Sequence, residues 1–83
     1  MSYYVYIIES LSNGSFYIGS SDNVERRVRR HNSGYSRYTK RHRPWKLVYT
    51  ERHPSKTEAL KRERFLKRQK NREFYLRLIK GGG

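Results

Sequence analysis

The sequence contains no cysteine and only seven acidic residues among its 83 positions. Without cysteine, disulfide bonds, thiolate zinc sites and thiol catalysis are excluded. Long apolar runs are also missing: the longest uncharged apolar segment, Tyr3 to Ile8, is far shorter than the about 20 residues that cross a membrane. No secretory signal pattern is visible either. We therefore expect a cytoplasmic protein that does not associate with membranes.

Large aliphatic side chains are scarce, since Leu, Ile, Val and Phe together make up roughly a fifth of the chain, close to the composition of disordered proteins. Eight tyrosines and one tryptophan compensate, because each supplies a large apolar body with a polar tip. The length suffices for one small domain with a thin core. We expect this domain to occupy residues 1–80, and Gly81, Gly82 and Gly83 to form a flexible tail.

Positive charge dominates the composition. Twenty Lys and Arg residues give the chain a formal charge of +13, which favours polyanions through release of their condensed counterions. Tyr3, Tyr35, Tyr38 and Trp45 lie among basic residues and could stack on unpaired bases, although a solvated basic coat is the plainer alternative. The expected partner is DNA, with RNA as a second candidate. The candidate contact residues are Arg26, Arg30, Tyr35, Arg37, Tyr38, Lys40, Arg41 and Lys67.

A hairpin opens the predicted fold. Residues 3–9 are β-branched and aromatic, Asn13 and Gly14 form a turn, and residues 15–19 return as a second strand. A third strand is expected over residues 45–50. With the helices described next, the sequence predicts an α/β (α+β) fold, in which three or more helices flank a small, mainly antiparallel three-stranded sheet.

The first helix is expected over residues 23–32. Val24 and Val28 form a narrow apolar stripe on it, and Arg27 and His31 flank that stripe because each lies three residues further on. These two polar side chains are therefore expected to face the sheet. Three residues that precede the helix are candidate N-caps, namely Ser20, Ser21 and Asp22.

The second half of the chain predicts further helices. The Ser55–Glu58 segment is a capping box and starts a helix that ends near Gln69. Asn71 can cap a last helix, unless the two helices are continuous. Residues 35–43 are basic and polar, and they predict a surface loop or a short helix.

One carboxylate is not explained by local rules. Glu63 lies four residues after Ala59 and three before Leu66, which places it on the inward face of its helix. Glu9 and Glu51, in contrast, lie near strand ends, where we expect them to be exposed. A half-buried charge must be paired or coordinated, so Glu63 either pairs with an arginine or serves as a metal ligand or catalytic acid.

The motifs resemble those of the GIY-YIG nucleases. Residues 4–6 (Tyr-Val-Tyr) and, ten residues later, residues 17–19 (Tyr-Ile-Gly) resemble the two parts of that family's signature. Residues 23–32 are similar to the helix that follows the signature, and residues 62–67 to the later acidic helix. The likeness covers nearly the whole chain, as in small stand-alone bacterial members that are similar to the N-terminal domain of a repair excinuclease.

The resemblance implies a metal-dependent endonuclease that hydrolyses DNA phosphodiester bonds with Mg²⁺ or Mn²⁺. It implies that Glu63 binds the metal and that Arg27 stabilises the transition state. Tyr6 or Tyr17, helped by His31, would orient or deprotonate the attacking water. Gly19 matches the motif glycine that lets the chain pass close to the site. The implied catalytic set is thus Tyr6, Tyr17, Arg27, His31 and Glu63.

Two positions depart from the pattern of relatives: Tyr4 stands where the family name has glycine, and Ser20 stands where some repair enzymes have a lysine. Asn71 is a weak match to a further ligand that occurs in some relatives. Single-stranded, branched and duplex DNA all remain candidate substrates, and a monomer that acts in DNA repair is the simplest expectation. The rival interpretation is a nucleic-acid-binding module that uses the same basic face without catalysis.

Overall fold

The computed structural model describes residues 2–34 and 36–81. The elements in chain order are β1 (Tyr3–Ser10), β2 (Phe16–Ser21), α1 (Val24–Asn32), α2 (Arg37–Arg41), β3 (Trp45–His53), α3 (Lys56–Gln69) and α4 (Arg72–Gly81). The strands form one sheet in the order β2-β1-β3, and both pairings are antiparallel. This confirms the predicted fold, a three-stranded sheet with flanking helices.

Successive side chains of β1 point to opposite faces of the sheet and divide the core into two layers. Val5 and Ile7 point to one face of the sheet, where they pack with Ala59 and Leu66 of α3 and with residues of α4. Tyr6 and Ile8 point to the other face, toward α1 and the start of β3; the residues packed with them are Trp45, Tyr17, Val24 and Val28. Each face of the central strand is therefore covered by helices, which explains why this strand is almost continuously apolar.

The register of the hairpin places both motif segments side by side. Tyr6 of β1 pairs with Gly19 of β2, and Ile8 pairs with Tyr17. Paired residues share a face of the sheet, so Tyr6 and Tyr17 both lie on the α1 side. Because β2 is an edge strand, groups from α1 and α3 can approach it from opposite faces.

Capping residues set the helix boundaries. The N-cap of α1 is Asn23, whose side-chain oxygen accepts from the Arg26 amide at 3.0 Å. The predicted caps, Ser20, Ser21 and Asp22, were wrong, because β2 continues through Ser21 and α1 starts later. Ser55 caps α3 through the Glu58 amide at 3.2 Å, as predicted. The Asn71 side chain accepts from the first amides of α4.

The structure decides several alternatives that the sequence left open. α3 and α4 are separate helices, because Lys70 between them has a φ of 45°. A short helix, α2, lies within residues 35–43. β3 continues to His53, so Glu51 lies inside a strand and is half-buried rather than exposed.

The last helix extends slightly further than the predicted domain. α4 includes Gly81, so the predicted tail does not begin there, and Gly82 and Gly83 lie outside the described residues. Within the described residues, no helix has both the length and the apolar character needed to cross a membrane.

Candidate active site

A buried hydrogen bond joins the first motif tyrosine to α1. The hydroxyl oxygen of Tyr6 lies 2.9 Å from Nε2 of His31, and the two residues are only 1% and 3% exposed. Gly19 makes this contact possible. A Cβ atom at Gly19 would lie 2.5 Å from the Tyr6 hydroxyl oxygen, so any side chain there would displace the phenol.

The surroundings keep both partners of this hydrogen bond uncharged at neutral pH. Burial raises the pKa of Tyr6 far above its usual range; Tyr17 and Glu63 add to this effect, and Arg27 opposes it. Burial also lowers the pKa of His31, as do the positive charges of Arg27 and Arg30. Nδ1 of His31 is buried without a hydrogen-bond partner in the described part of the chain, so no contact there favours either tautomer.

Tyr17 lies between this buried pair and the surface. Its ring centroid is 5.0 Å from that of His31 and 6.0 Å from that of the half-exposed Tyr38. A groove of about 360 Å³ runs along this edge of the sheet. Its lining residues are Phe16, Tyr17, Ile18, Tyr38, Lys67 and Tyr75. Tyr17 is thus the motif tyrosine that a molecule in the groove would touch.

Glu63 approaches β2 from the opposite face. One carboxylate oxygen accepts from the Ser20 hydroxyl at 2.5 Å, and the other lies 2.7 Å from Nζ of Lys67. The Glu63 side chain is 16% exposed, which agrees with its predicted position on the inward face of α3. Its charged partner is Lys67, not an arginine. Ser20 was not predicted as a partner of Glu63, although it lies two residues after Ile18 and therefore shares the α3 face of β2 with it.

Arg27 completes the cluster from α1. It is half-buried, and its positive charge opposes the rise in the pKa of Tyr6 and contributes to the lowered pKa of His31. The structure therefore brings together all five residues of the implied catalytic set. They come from β1, β2, α1 and α3 and meet around the edge strand.

The donor chemistry at Glu63 fits a hard divalent cation. No group of three or more His, Asp or Glu side chains among residues 2–34 and 36–81 is arranged to hold a metal ion. A single carboxylate is nevertheless a usual protein ligand for Mg²⁺, which keeps several waters and takes further oxygens from a phosphate. A cationic nitrogen already lies 2.7 Å from Oε2 of Glu63, so this oxygen is oriented toward positive charge.

Most of the predicted nucleic-acid contacts lie on the surface. Arg26 forms a 3.8 Å ion pair with Asp22, and Tyr35 lies outside the described residues. Trp45 was predicted to stack on bases, but it is buried and donates from Nε1 to the Thr39 carbonyl at 2.8 Å. Tyr3 likewise packs against the core. The remaining predicted residues are exposed: Arg30, Arg37, Tyr38, Lys40, Arg41 and Lys67.

Comparison with known proteins agrees with this geometry. The sequence model of the GIY-YIG catalytic domain matches residues 2–76. The chain belongs to the GIY-YIG family. Membership in this nuclease family implies a nucleic-acid substrate, and GIY-YIG nucleases generally use divalent metals.

The chain is similar over nearly its whole length to UPF0213 proteins. It is 48% identical over 80 residues to UPF0213 proteins of Staphylococcus aureus strains Mu3 and N315, and the match covers 95% of each chain. The solution NMR structure of the UPF0213 protein BH0048 from Bacillus halodurans is 38% identical, with a TM-score of 0.59. That match covers 96% of this chain and 84% of the other. The family thus includes compact proteins of this size.

Proposed function

We propose that this chain is a metal-dependent endonuclease that hydrolyses DNA phosphodiester bonds. The observation that carries the proposal is the convergence of Tyr6, Tyr17, His31 and Glu63 on one edge strand. Two neutral, hydrogen-bonded groups lie on one side of this strand, and a partly buried carboxylate lies on the other. Such an arrangement can move a proton and neutralise a phosphate at the same place.

The proton is taken up by the Tyr6–His31 pair. For this step the bound substrate must displace Tyr17, which screens the buried pair from the groove. As the attacking water bonds to phosphorus, it then loses a proton to the Tyr6 hydroxyl, and Tyr6 passes its own proton to Nε2 of His31. This relay suits the environment of Tyr6, because a phenol with a strongly raised pKa resists becoming a phenolate. The bond from phosphorus to the 3′ oxygen then breaks, and the leaving oxygen takes a proton from solvent.

Arg27 and Tyr17 act on the phosphate. Arg27 supplies a positive charge near the reacting groups, where a preorganised cation stabilises the added negative charge of the transition state. Tyr17 lies at the groove surface and orients the substrate next to the relay. Glu63 would hold the Mg²⁺ or Mn²⁺ ion, which supplies Lewis-acid stabilisation of the phosphate oxygens when it is bound.

The groove favours DNA with unpaired bases. Tyr38 is 46% exposed and lies beside Tyr17 and His42, so its face can stack on a base, as in proteins that bind single strands. Exposed cations on α1 and α2 can follow the backbone on either side. We therefore propose single-stranded or structured DNA as the substrate, cleaved in the cytoplasm during DNA repair by a monomer.

A cleavage panel tests the proposal. The purified chain is incubated with single-stranded, duplex, nicked and flapped DNA in Mg²⁺, Mn²⁺ or EDTA, and the cut sites are mapped. We expect metal-dependent cuts, with unpaired substrates preferred. The Glu63→Ala variant should lose cleavage and keep DNA binding, since it removes a negative charge from a basic surface.

The same panel distinguishes the rival interpretation. A folded wild-type chain that binds every substrate and cuts none of them, with either metal, would be a binding module without catalysis. Cleavage that persists unchanged in Glu63→Ala would contradict the role assigned to this carboxylate.

A further inference from the structure

Lys67 is held by the same carboxylate that the proposed function assigns to the metal. Its Nζ lies 2.7 Å from Oε2 of Glu63, one turn earlier on α3. The other oxygen of Glu63 already accepts from Ser20. An ammonium group and a divalent cation at the same oxygen repel each other. Lys67 must therefore leave Oε2 before a divalent ion can bind there.

Lys67 also lies next to the groove beside Tyr17. Its side chain is 49% exposed, whereas that of Glu63 is 16% exposed. Its Nζ lies 5.9 Å from the ring centroid of Tyr17, and Lys67 lines the groove proposed to hold the substrate. A long, flexible lysine at this position can turn from the carboxylate to a phosphate in the groove without any movement of the backbone.

We propose that Lys67 is an exchangeable counter-ion of Glu63. In the free chain it neutralises the carboxylate, and in the working complex it is transferred to a phosphate of the bound strand, so that Glu63 is available to the metal. This inference rests on the proposed function and deepens it, because it names the residue that couples metal binding to nucleic-acid binding. Such a coupling is reciprocal, so each ligand strengthens the binding of the other.

Mn²⁺ binding without DNA tests the first half of the inference. The affinity is measured by electron paramagnetic resonance for the wild type, Lys67→Met, Lys61→Met and Glu63→Gln. Lys61 is the matched control, because it is an exposed lysine of the same helix and its removal changes the net charge equally. We expect Lys67→Met to bind Mn²⁺ roughly 10-fold more tightly than Lys61→Met, within the usual range of coupling, and Glu63→Gln to lose this binding.

The outcomes separate the inference from the function on which it rests. Equal affinities for Lys67→Met and Lys61→Met, with binding lost in Glu63→Gln, would overturn the exchange while leaving Glu63 as the metal ligand. An ordinary helix-stabilising pair between residues four apart predicts this result. Mn²⁺ binding that survives in Glu63→Gln would overturn both, because the ion would then lie elsewhere. Circular dichroism confirms that each variant is folded.

The salt dependence of DNA binding in EDTA tests the second half. With Glu63 present, Lys67 stays on the carboxylate. Lys67→Met should therefore leave nearly unchanged the slope of the logarithm of the DNA-binding constant against the logarithm of the salt concentration. In the Glu63→Gln background Lys67 is released, and its removal should reduce the slope by about 0.7 for single-stranded DNA, the contribution of one phosphate contact. An equal effect of Lys67→Met in both backgrounds would overturn the transfer to phosphate.

Discussion

Two carboxylates lie on the α3 side of the sheet, and their surroundings differ sharply. Glu51 is bonded to the Tyr49 hydroxyl at 2.6 Å, to Nε2 of His53 at 2.9 Å and to Nε of Arg62 at 2.8 Å. Glu63 has one neutral hydroxyl and one half-exposed lysine as partners. Both side chains are largely buried, at 18% and 16% exposed.

Burial alone therefore does not identify a functional acid. Glu51 has three partners held by β3 and α3, and these hydrogen bonds outweigh the opposing effect of burial, so that its pKa is lowered. Burial, together with the hydrogen bond to Glu51 and its negative charge, raises the pKa of Tyr49 to about 12, although Arg62 opposes this effect. Glu63 instead pairs with one half-exposed lysine, and this lysine lines the aromatic groove. We therefore expect that an exchangeable partner, rather than a charged environment, distinguishes the site from the scaffold.

The largest expected effect is on cleavage by Glu63→Gln. Loss of the carboxylate charge should reduce kcat/KM roughly 10³-fold, equivalent to about 4 kcal/mol of transition-state stabilisation. The Tm should change little, because the amide can still accept from Ser20. Cleavage rates on a labelled single strand and a thermal melt provide the measurement. A large fall in Tm would place Glu63 with Glu51 as a scaffold residue.

The next effect concerns the Tyr6–His31 contact on the other face of β2. Gly19→Ala would place a methyl group against the Tyr6 hydroxyl and should lower cleavage about 10²-fold through displacement of the relay. The same variant should leave the Glu51 network intact. The NMR signals of His31 and His53 report the two regions separately, and we expect only those of His31 to move. Full activity in Gly19→Ala would show that the Tyr6–His31 contact is not needed.

Glu51→Gln should lower stability and leave cleavage unchanged, the reverse of the effect expected for Glu63→Gln. Loss of a charged acceptor that binds three donors should cost about 2 kcal/mol of unfolding free energy, a decrease in Tm of roughly 10 °C for a domain of this size. Because the pKa of Glu51 is lowered from 4.5, its stabilisation is present above that pH and is lost as the pH falls through the folded value.

Urea titrations between pH 3 and pH 7 measure this effect. The wild type should lose stability toward low pH more steeply than Glu51→Gln, and cleavage at a temperature where both are folded should be equal. A variant that stays stable but loses cleavage would reverse the assignment of the two carboxylates.

The smallest effect is a shift in the pH profile. His31 must be neutral to accept a proton, and its lowered pKa places the acid limb of cleavage below pH 6.5. Arg30→Gln removes one of the charges that lower this pKa, so the limb should move upward by a fraction of a pH unit. Arg29→Gln, an exposed neighbour on α1, is the matched control and should leave the limb in place.

Local patterns in the sequence predicted much of the site, but not its partners. Arg27 and His31 each lie three residues after Val24 and Val28, and this spacing indicated which face of α1 meets the sheet. The spacing of Ala59, Glu63 and Leu66 gave the same information for α3. These predictions succeeded because helical periodicity is a local property. The resemblance to the GIY-YIG motifs then assigned roles, which remain predictions for each residue.

One partner of each carboxylate could not be predicted, because it comes from a distant segment: Arg62 is 11 residues from Glu51, and Ser20 is 43 residues from Glu63. Glu51 was expected to be exposed because it lies near the end of the predicted strand. This prediction failed because the length of β3 and its irregular register opposite Ile7 and Ile8 depend on pairing with β1. Ser20 was considered as a helix cap and as a departure from the family pattern, but not as a partner of Glu63. Trp45 was expected to stack on bases, yet the α2 carbonyl that accepts from its indole is visible only in the folded chain.

By itself, the sequence determined the charge of this protein, the faces of its helices and the residue types that a nuclease of this family needs, because these follow from composition and from a repeat of a few residues. Only the tertiary structure decided which acid has three hydrogen-bond partners and which has one hydroxyl and one half-exposed lysine. The physical reason is that each carboxylate has one partner more than ten residues away along the chain, Arg62 for Glu51 and Ser20 for Glu63, and no local pattern contains these distances.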